Sequence, residues 1–600
     1  MQIPSSPYSF IRHGFLLLIL PFFLPGFLSI TSVHAADGVF GWAKAMGGAS
    51  SGGGEDIFVD ASGNVYTTGY FYGTADFDPG PGTFYLTSAG RDIFILKLNS
   101  SGRFVWAKSI GGWTNAVEGR AASIAVDNSG NVYITSVFDS AADFDPGPGT
   151  SILTSSSYKD IFILKLNSSG HFVWAKSIGG WGDVPEYESR KGSISVDTSS
   201  NVYITSKFVG TADLDPGAGT FYQTSAGGAD IFISKLDRVG NFVWAKAMGG
   251  IEDDEVKDIF VDASGNVYTT GTFMGTSDFD PGPEMFYLTS VGAEDIFISK
   301  LDRSGNFVWA RPIGPIGGIV GTFVTPHGIS VDILGNVYSI GQFAEVWTWA
   351  SDSPVWTNLG GYTSDMFVSK LDSSGSPVWV KIIGGSQQST AAAGISVDTL
   401  GNVYTAGSFG GTIDADPGDG TFSLTSAGDW DIFISKLDSS GNLVWAKAIG
   451  GPSSDWASEI SIDASGNMYT TGSFAGTVDF DPGPGTFNLT SAGVYGDIFV
   501  LCLNQRSTLT VSLPGNGLGS VASSPAGINC GSDCSETYNY GTTVTLTPTV
   551  DPDSIFSGWS GACSGKGSCT IQMDRDQSVS AFFAKLVMPP IYKLLLDQEP

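Results

Sequence analysis

The sequence predicts an all-β protein: a seven-bladed β-propeller of four-stranded blades, followed by a small disulfide-bearing β module. Three observations carry this prediction. A unit of roughly 67 residues recurs seven times, with the same four markers in the same order. Each unit holds four short segments of strand character, and nothing between them repeats at the helical period. The stretch beyond residue 503 changes composition and holds four of the five cysteines. Radial repetition of small antiparallel sheets lets such units bury their faces and leaves only short edges.

The first marker is a Trp-Ala-Lys run or close variant closing on glycine, with its tryptophan at Trp42, Trp106, Trp174, Trp244, Trp309, Trp379 and Trp445. The second is an apolar-Asp-x-x-Gly-Asn-apolar-Tyr turn, whose aspartates are Asp60, Asp127, Asp197, Asp262, Asp332, Asp398 and Asp463. Only the third copy alters it, with Ser200 in place of glycine. The third marker is Asp-Phe-Asp-Pro-Gly or a close variant, beginning at Asp76, Asp143, Asp213, Asp278, Asp414 and Asp479, and the fifth copy lacks it. The fourth is Asp-Ile-Phe or Asp-Met-Phe, at Asp92, Asp160, Asp230, Asp295, Asp365, Asp431 and Asp497.

Within a unit, strand A is the apolar run ending at the turn aspartate (194–196), and strand B starts at Asn-Val-Tyr. Strand C is the Asp-Ile-Phe run (231–236), and strand D is the Phe-Val-Trp-Ala-Lys run. Short Gly-containing turns join A to B and C to D, as hairpins require. The B-to-C and D-to-A connections are long and differ between copies, so they emerge together on the opposite face. Recognition concentrates on loops held by a rigid scaffold, which makes that face the functional candidate. The chain opens with a strand D and its last unit stops at strand C. Residues 39–46 are therefore predicted to complete the seventh blade and protect its edge.

These markers resemble the bacterial beta-propeller repeat family known as SBBP, over about residues 39–503. The resemblance implies a propeller in exported bacterial proteins and brings no catalytic residues. Residues 507–585 read as a separate all-β module. Its Gly558-Trp559-Ser560-Gly561 core and the apolar ending at Val579, Ala581 and Phe582 resemble the bacterial repeat module related to the internalin B-repeats. That likeness implies a surface or secreted accessory module.

Residues 1–35 read as a signal peptide: Arg12, an apolar stretch interrupted by Pro21 and Pro25, and a small-residue cleavage site at Val33-His34-Ala35. The mature chain, 36–503 for the propeller with a tail at 586–600, is expected outside the cytoplasm, secreted or at the cell surface. It is expected to be monomeric and without a membrane span. A formal charge of −30 argues against a phosphate-binding surface and so against nucleic acid as a partner. In an exported chain, Cys530, Cys534, Cys563 and Cys569 read as two disulfides, with the local pairs Cys530 with Cys534 and Cys563 with Cys569 the simplest of three pairings. Cys502 stands where the other six copies have lysine and reads as a buried, inert thiol.

The sharpest chemical candidates are the Asp-x-Asp pairs of the third marker: Asp76 and Asp78, Asp143 and Asp145, Asp213 and Asp215, Asp278 and Asp280, Asp414 and Asp416, Asp479 and Asp481. Two carboxylates in a loop tightened by proline and glycine suit calcium, the one cofactor the sequence suggests. The competing reading is that they cap the turn through backbone N–H groups. The repeated tryptophans alternate with apolar residues and belong between blades. Outside the repeat stand Trp113, Trp181, Trp430 and Trp456, together with Trp347, Trp349 and Trp356 of the divergent fifth copy. These three in the fifth copy are the candidate ligand contacts. Beyond the signal region only His171 and His327 remain, in unrelated positions, and Arg120 and Arg190 are isolated. No catalytic arrangement follows from them. The expected function is non-enzymatic binding of an extracellular protein or polysaccharide through the long-loop face, stabilised by calcium if the Asp-x-Asp loops hold it. A structural envelope protein and a glycan-active enzyme are the alternatives.

Overall fold

The computed structural model describes residues 38–586 apart from 112–120, 157–158, 180–191, 292, 316–323, 345, 349–354, 358–363, 386–388, 494–495, 540 and 574–575. The expected signal segment and most of the expected tail lie outside the described residues. All regular elements among the described residues are β-strands, and no helix there is long and apolar enough to cross a membrane.

Among the described residues up to 504, seven propeller-like sheets are each built on four antiparallel strands in the order A, B, C, D. In the fourth these are Asp254–Val261, Val267–Phe273, Asp295–Leu301 and Phe307–Pro315. Strand B of this sheet is buried along its whole length, because a middle strand carries neighbouring sheets on both faces. The core accordingly lies between consecutive sheets. Tyr66, Ile95 and Trp106 of the first unit share one apolar cluster with Ile124, Phe138 and Phe162 of the second. Successive A strands touch in chain order, and the last, Trp456–Ile462, touches the first, Gly52–Val59. Val39–Met46 pairs antiparallel with Asp497–Asn504 as the fourth strand of the last sheet, with Trp42 opposite Cys502. In the other units the equivalent tryptophan faces lysine, as Trp106 faces Lys97.

The A-to-B turn is held by its aspartate. Asp60 Oδ1 accepts the backbone N–H groups of Ser62 and Asn64, both at 2.9 Å, while Oδ2 accepts from the Asn64 amide at 2.8 Å and the Tyr66 hydroxyl at 3.1 Å. The turn needs a left-handed residue, φ 75° at Gly63, and Ser200 meets the same requirement at φ 63° in the copy that lacks glycine.

The B-to-C connection departs from the expectation of a variable loop. Each unit builds a short hairpin there, such as Thr276–Asp278 with Tyr287–Thr289, and the fifth unit keeps one, Val346–Thr348 with Val355–Thr357, without the Asp-x-Asp motif. The hairpin of one unit pairs with the end of strand D of the preceding unit, Gly249 opposite Asp278 and Gly250 opposite Ser277. This explains the paired glycines of the first marker. A Cβ on Gly249 would meet the Asp230 carboxylate at 2.5 Å, and one on Gly250 would meet the Thr276 carbonyl oxygen at 2.4 Å. Three separated markers thus form one junction between neighbouring sheets.

Beyond the link residue, Arg506–Ser512, Ser535–Asn539, Ser554–Gly561 and Gln577–Lys585 form one four-stranded sheet, and Gly519–Ser524, Asn529–Cys530, Thr543–Val550 and Cys569–Gln572 form a second. Leu509, Val521, Trp559 and Phe583 pack in their shared core. The disulfides are Cys530–Cys534 and Cys563–Cys569. Gln505 ties the link down: its N–H donates to Asn467 Oδ1 at 3.1 Å, and its carboxamide lies against the Tyr404 hydroxyl, the Lys436 ammonium and the Gly466 carbonyl.

Candidate ligand-binding face

The Asp-x-Asp pairs sit at the tips of the hairpins. Asp76 Oδ1 accepts the backbone N–H of Asp78 at 3.0 Å and of Phe84 at 2.8 Å, and Asp78 Oδ1 accepts that of Gly80 at 2.8 Å. The same bonds recur at Asp143 and Asp145, Asp213 and Asp215, Asp278 and Asp280, Asp414 and Asp416, and Asp479 and Asp481. The residue between them is fully buried, Phe77 and Ala415 included, so it is a core position. Calcium takes six to eight oxygens. One loop offers two carboxylates already engaged by N–H groups, and no group of three or more metal-ligating side chains occurs among the described residues.

The repeated tryptophans pack as expected. The Trp106 indole N–H donates to the Ser168 carbonyl of the next unit at 3.2 Å, beneath Gly170. In the fifth unit the backbones of Trp347 and Trp356 face each other across the hairpin. Trp349, Trp113, Trp181, Arg120 and Arg190 lie outside the described residues. His171 stands in a C-to-D turn, whereas His327 lies near the start of an A strand, at the opposite end of the sheets.

The A strands of all seven units line a central cavity of about 470 Å³. Most of them carry a β-bulge at its upper end, and the bulges place residues that do not repeat. The position just before the strand isoleucine holds Asp56, Ser123, Ser193, Asp258, Gly328, Gly394 and Glu459 in successive units. Sequence reasoning by marker missed these acids; reading that one column across the seven copies would have found them. Asp56 accepts the N–H groups of Ile57 and, from the next unit, Ile124, both at 2.7 Å. Asp258 accepts from Ile259 at 2.8 Å, from Ile329 of the next unit at 2.9 Å and from the Ser193 hydroxyl of the preceding unit at 2.9 Å. Burial pushes Asp56 up to about 7, against the hydrogen bonds from Ile124, Ser123 and Ile57, with the charge of Asp258 adding to the rise. Burial likewise raises Asp258 to about 6. With both oxygens spent on neighbouring backbones, these acids are ties between sheets.

One residue earlier, at the bulge itself, Glu55, Lys257, His327, Ala393 and Ser458 stand at the channel mouth on the long-connection side. Arg91 pairs with Glu55 at 3.6 Å and lies 3.9 Å over the Tyr70 ring. Glu255 pairs with Lys257 at 2.9 Å and Lys207 at 3.9 Å. Between the first, fifth, sixth and seventh units a cavity of about 350 Å³ opens, lined by Tyr70, Arg91, Glu55, His327, Ser458 and Ser473. Next in the chain to the lining residue Ala457, Trp456 lies cross-strand from Ser473, which also lines the cavity, and stacks on Trp430 of the preceding unit, with ring centres 4.7 Å apart.

This face belongs to a repeat protein. Residues 378–408 match the family model described as Beta-propeller repeat, and residues 510–586 match the Divergent InlB B-repeat domain. The chain is 22% identical over 524 residues to an uncharacterized WD repeat-containing protein of Acanthamoeba polyphaga mimivirus, covering 73% of this chain and 36% of the relative. It is 25% identical over 177 residues to the Regulatory protein FlaEY of Caulobacter vibrioides, covering 29% of this chain and 17% of the relative. The chain therefore spans well under half the length of these relatives. Among solved structures, a mutant of Synechocystis apocarotenoid oxygenase aligns over 77% of this chain and 93% of its own, at 11% identity and a TM-score of 0.34.

Proposed function

We propose that residues 36–503 form a seven-bladed propeller whose ring is closed by the N-terminal strand, that residues 507–585 form an accessory module, and that the protein binds an extracellular protein or polysaccharide without catalysing a reaction. One observation carries this reading. The clamps at the turn end are the same in every unit, whereas non-repeating polar, charged and aromatic residues gather at the channel mouth on the long-connection face. A scaffold that holds one end constant and varies the other is arranged for recognition. The two disulfides favour an oxidising compartment, in keeping with the leader read in residues 1–35.

The two histidines stand at opposite ends of the sheets, and the channel acids Asp56 and Asp258 are occupied by backbone donors, which favours binding over glycan cleavage. The test is saturable binding by the full chain against glycan and envelope-protein panels. Tyr70→Ala and Lys257→Ala are the variants, with substitution of Trp347, Trp349 and Trp356 alongside. Binding lost in these variants supports the reading. Absence of any ligand favours a structural envelope protein, and turnover of a glycan overturns the non-enzymatic assignment.

A further inference from the structure

We infer that the cavity at the channel mouth, together with Trp456 beside its lining residues Ala457 and Ser473, is a binding site for an uncharged oligosaccharide; this rests on the reading of the long-connection face as the recognition surface. Several observations converge on it. Trp456 is exposed, at 38%, so part of its indole is open to a ligand. It is held against Trp430 by near-parallel stacking, with 23° between the ring planes, and the Asp455 N–H donates to the Trp430 carbonyl at 2.7 Å, so the platform is fixed before any ligand arrives. No other unit repeats the pair: the residues at the same two places around the fourth unit's A strand are Ala229 and Glu255.

Beside the platform, the cavity is lined partly by residues with little or no side chain, Gly53, Gly54, Ala392, Ala393 and Ala457, and its volume falls in the range of small-ligand sites, roughly 300–1,000 Å³. The polar groups in it suit hydroxyls. Glu55 supplies carboxylate oxygens, Arg91 supplies guanidinium N–H groups, and Ser458 and Ser473 are present as well. Arg91 Nε has no hydrogen-bond partner even though the guanidinium is held in place by Glu55 and by the Tyr70 ring. An immobilised donor and acceptor in a cavity whose lining residues Ala457 and Ser473 neighbour a part-exposed indole matches a pyranose, an apolar ring face bordered by hydroxyls.

The charge argues for a neutral sugar. Glu55 offsets Arg91 within the cavity, and the chain as a whole carries −30, which repels a polyanion. A bound saccharide would stack on Trp456 and reach Arg91 and Glu55 with its hydroxyls.

The probe is a set of short uncharged oligosaccharides of hexose and N-acetylhexosamine, titrated into the full chain with tryptophan fluorescence and calorimetry as readouts. At least one is expected to bind saturably with a change in indole emission. Trp456→Ala and Arg91→Ala are each expected to weaken it about tenfold or more, a loss of about 1.4 kcal/mol, with Trp456→Phe between. Thermal melts establish that the variants fold, and the conservative Trp456→Phe keeps the test valid if Trp456→Ala does not. Binding that is unchanged in both alanine variants overturns the site. No binding by any neutral saccharide overturns the ligand class, and a parallel capture of envelope proteins then separates the two readings. Capture lost in Lys257→Ala leaves the recognition face standing without the sugar; no capture removes both.

Discussion

Asp56 accepts the backbone N–H of Ile124, in the neighbouring sheet, at 2.7 Å, and it does so from a buried position that holds its carboxyl up to about 7. The acid ties two sheets together while its ionised form is disfavoured by desolvation. Asp258 repeats the arrangement with Ile329, and Asp254 and Asp455 sit buried at the starts of their A strands with carboxyls raised by burial to about 7 and about 6.

These shifts set a pH dependence. A carboxyl raised in the folded state binds its proton more tightly there than in the unfolded chain, whose value is near 3.8. The stability these carboxyls contribute is therefore greatest where both states are protonated and falls as pH rises from about 4 through about 7, then levels off. Relief of repulsion in a chain of charge −30 acts in the same direction. Asp127, lowered by its bonds from Asn131, Tyr133 and Ser129 in spite of burial, opposes the trend only below its ordinary range. Urea unfolding is expected to show a higher midpoint at pH 5 than at pH 8. Asp56→Asn should flatten part of that slope while lowering stability at both, since Ile57 and Ile124 donate to different oxygens and the amide replaces one of these by an NH2 group. A higher midpoint at pH 8 contradicts this account.

The hairpin aspartates give a second expectation. Because Asp213 Oδ1 already accepts the N–H groups of Asp215 and Phe221, the loop is closed by the protein's own donors. Removing calcium with a chelator is expected to leave the melting temperature unchanged. Asp213→Ala should destabilise by about 1 to 2 kcal/mol through the loss of the two bonds. A fall on chelation, reversed by calcium, would make the loops metal clamps.

Gly250 supplies a third. Its missing Cβ is the space occupied by the Thr276 carbonyl of the next hairpin, 2.4 Å from where the atom would be. Gly250→Ala must push the hairpin off strand D and is expected to cost about 1 to 3 kcal/mol. The same change at Gly567, where nothing lies within 4 Å, should be nearly neutral. Chemical denaturation of the two variants compares them directly.

How much of this was legible in the sequence depends on whether a residue repeats. Asp60, Tyr66 and Trp106 recur in every unit, so their period announced the sheets, the turns and the order of strands. The paired glycines recur as well, but their reason was hidden because the hairpin they receive lies in the next unit, some 27 residues on from Gly249 to Thr276. Glu55, Arg91 and Trp456 were harder, since each is singular in its column and the fold gathers them from three strands in two units. The stack of Trp456 on Trp430 depends on which loops the sheets bring side by side, and no spacing along the chain encodes it.

The one unit that lacks the lysine opposite its tryptophan makes the last prediction. Lys97 stands 4.8 Å over the Tyr66 ring and donates to the Ser168 carbonyl of the next unit at 3.4 Å, an arrangement repeated by Lys235 with Tyr203 and Arg303. In the seventh unit Cys502 takes the place of the lysine, opposite Trp42 and beside Tyr469, and burial pushes its thiol up to about 12. A thiol so held has almost no thiolate at neutral pH. It should be silent to thiol reagents in the folded protein and titrate as one group in denaturant. Reaction of the native protein at a rate like that of a free thiol would contradict this placement. Cys502→Lys restores the repeat and is expected to fold with stability within about 1 kcal/mol of the parent, the attraction of the ammonium to the Tyr469 ring offsetting its partial burial. Loss of folding in that variant would show that the first strand, Val39–Met46, needs the smaller side chain opposite Trp42 to pair with Asp497–Asn504.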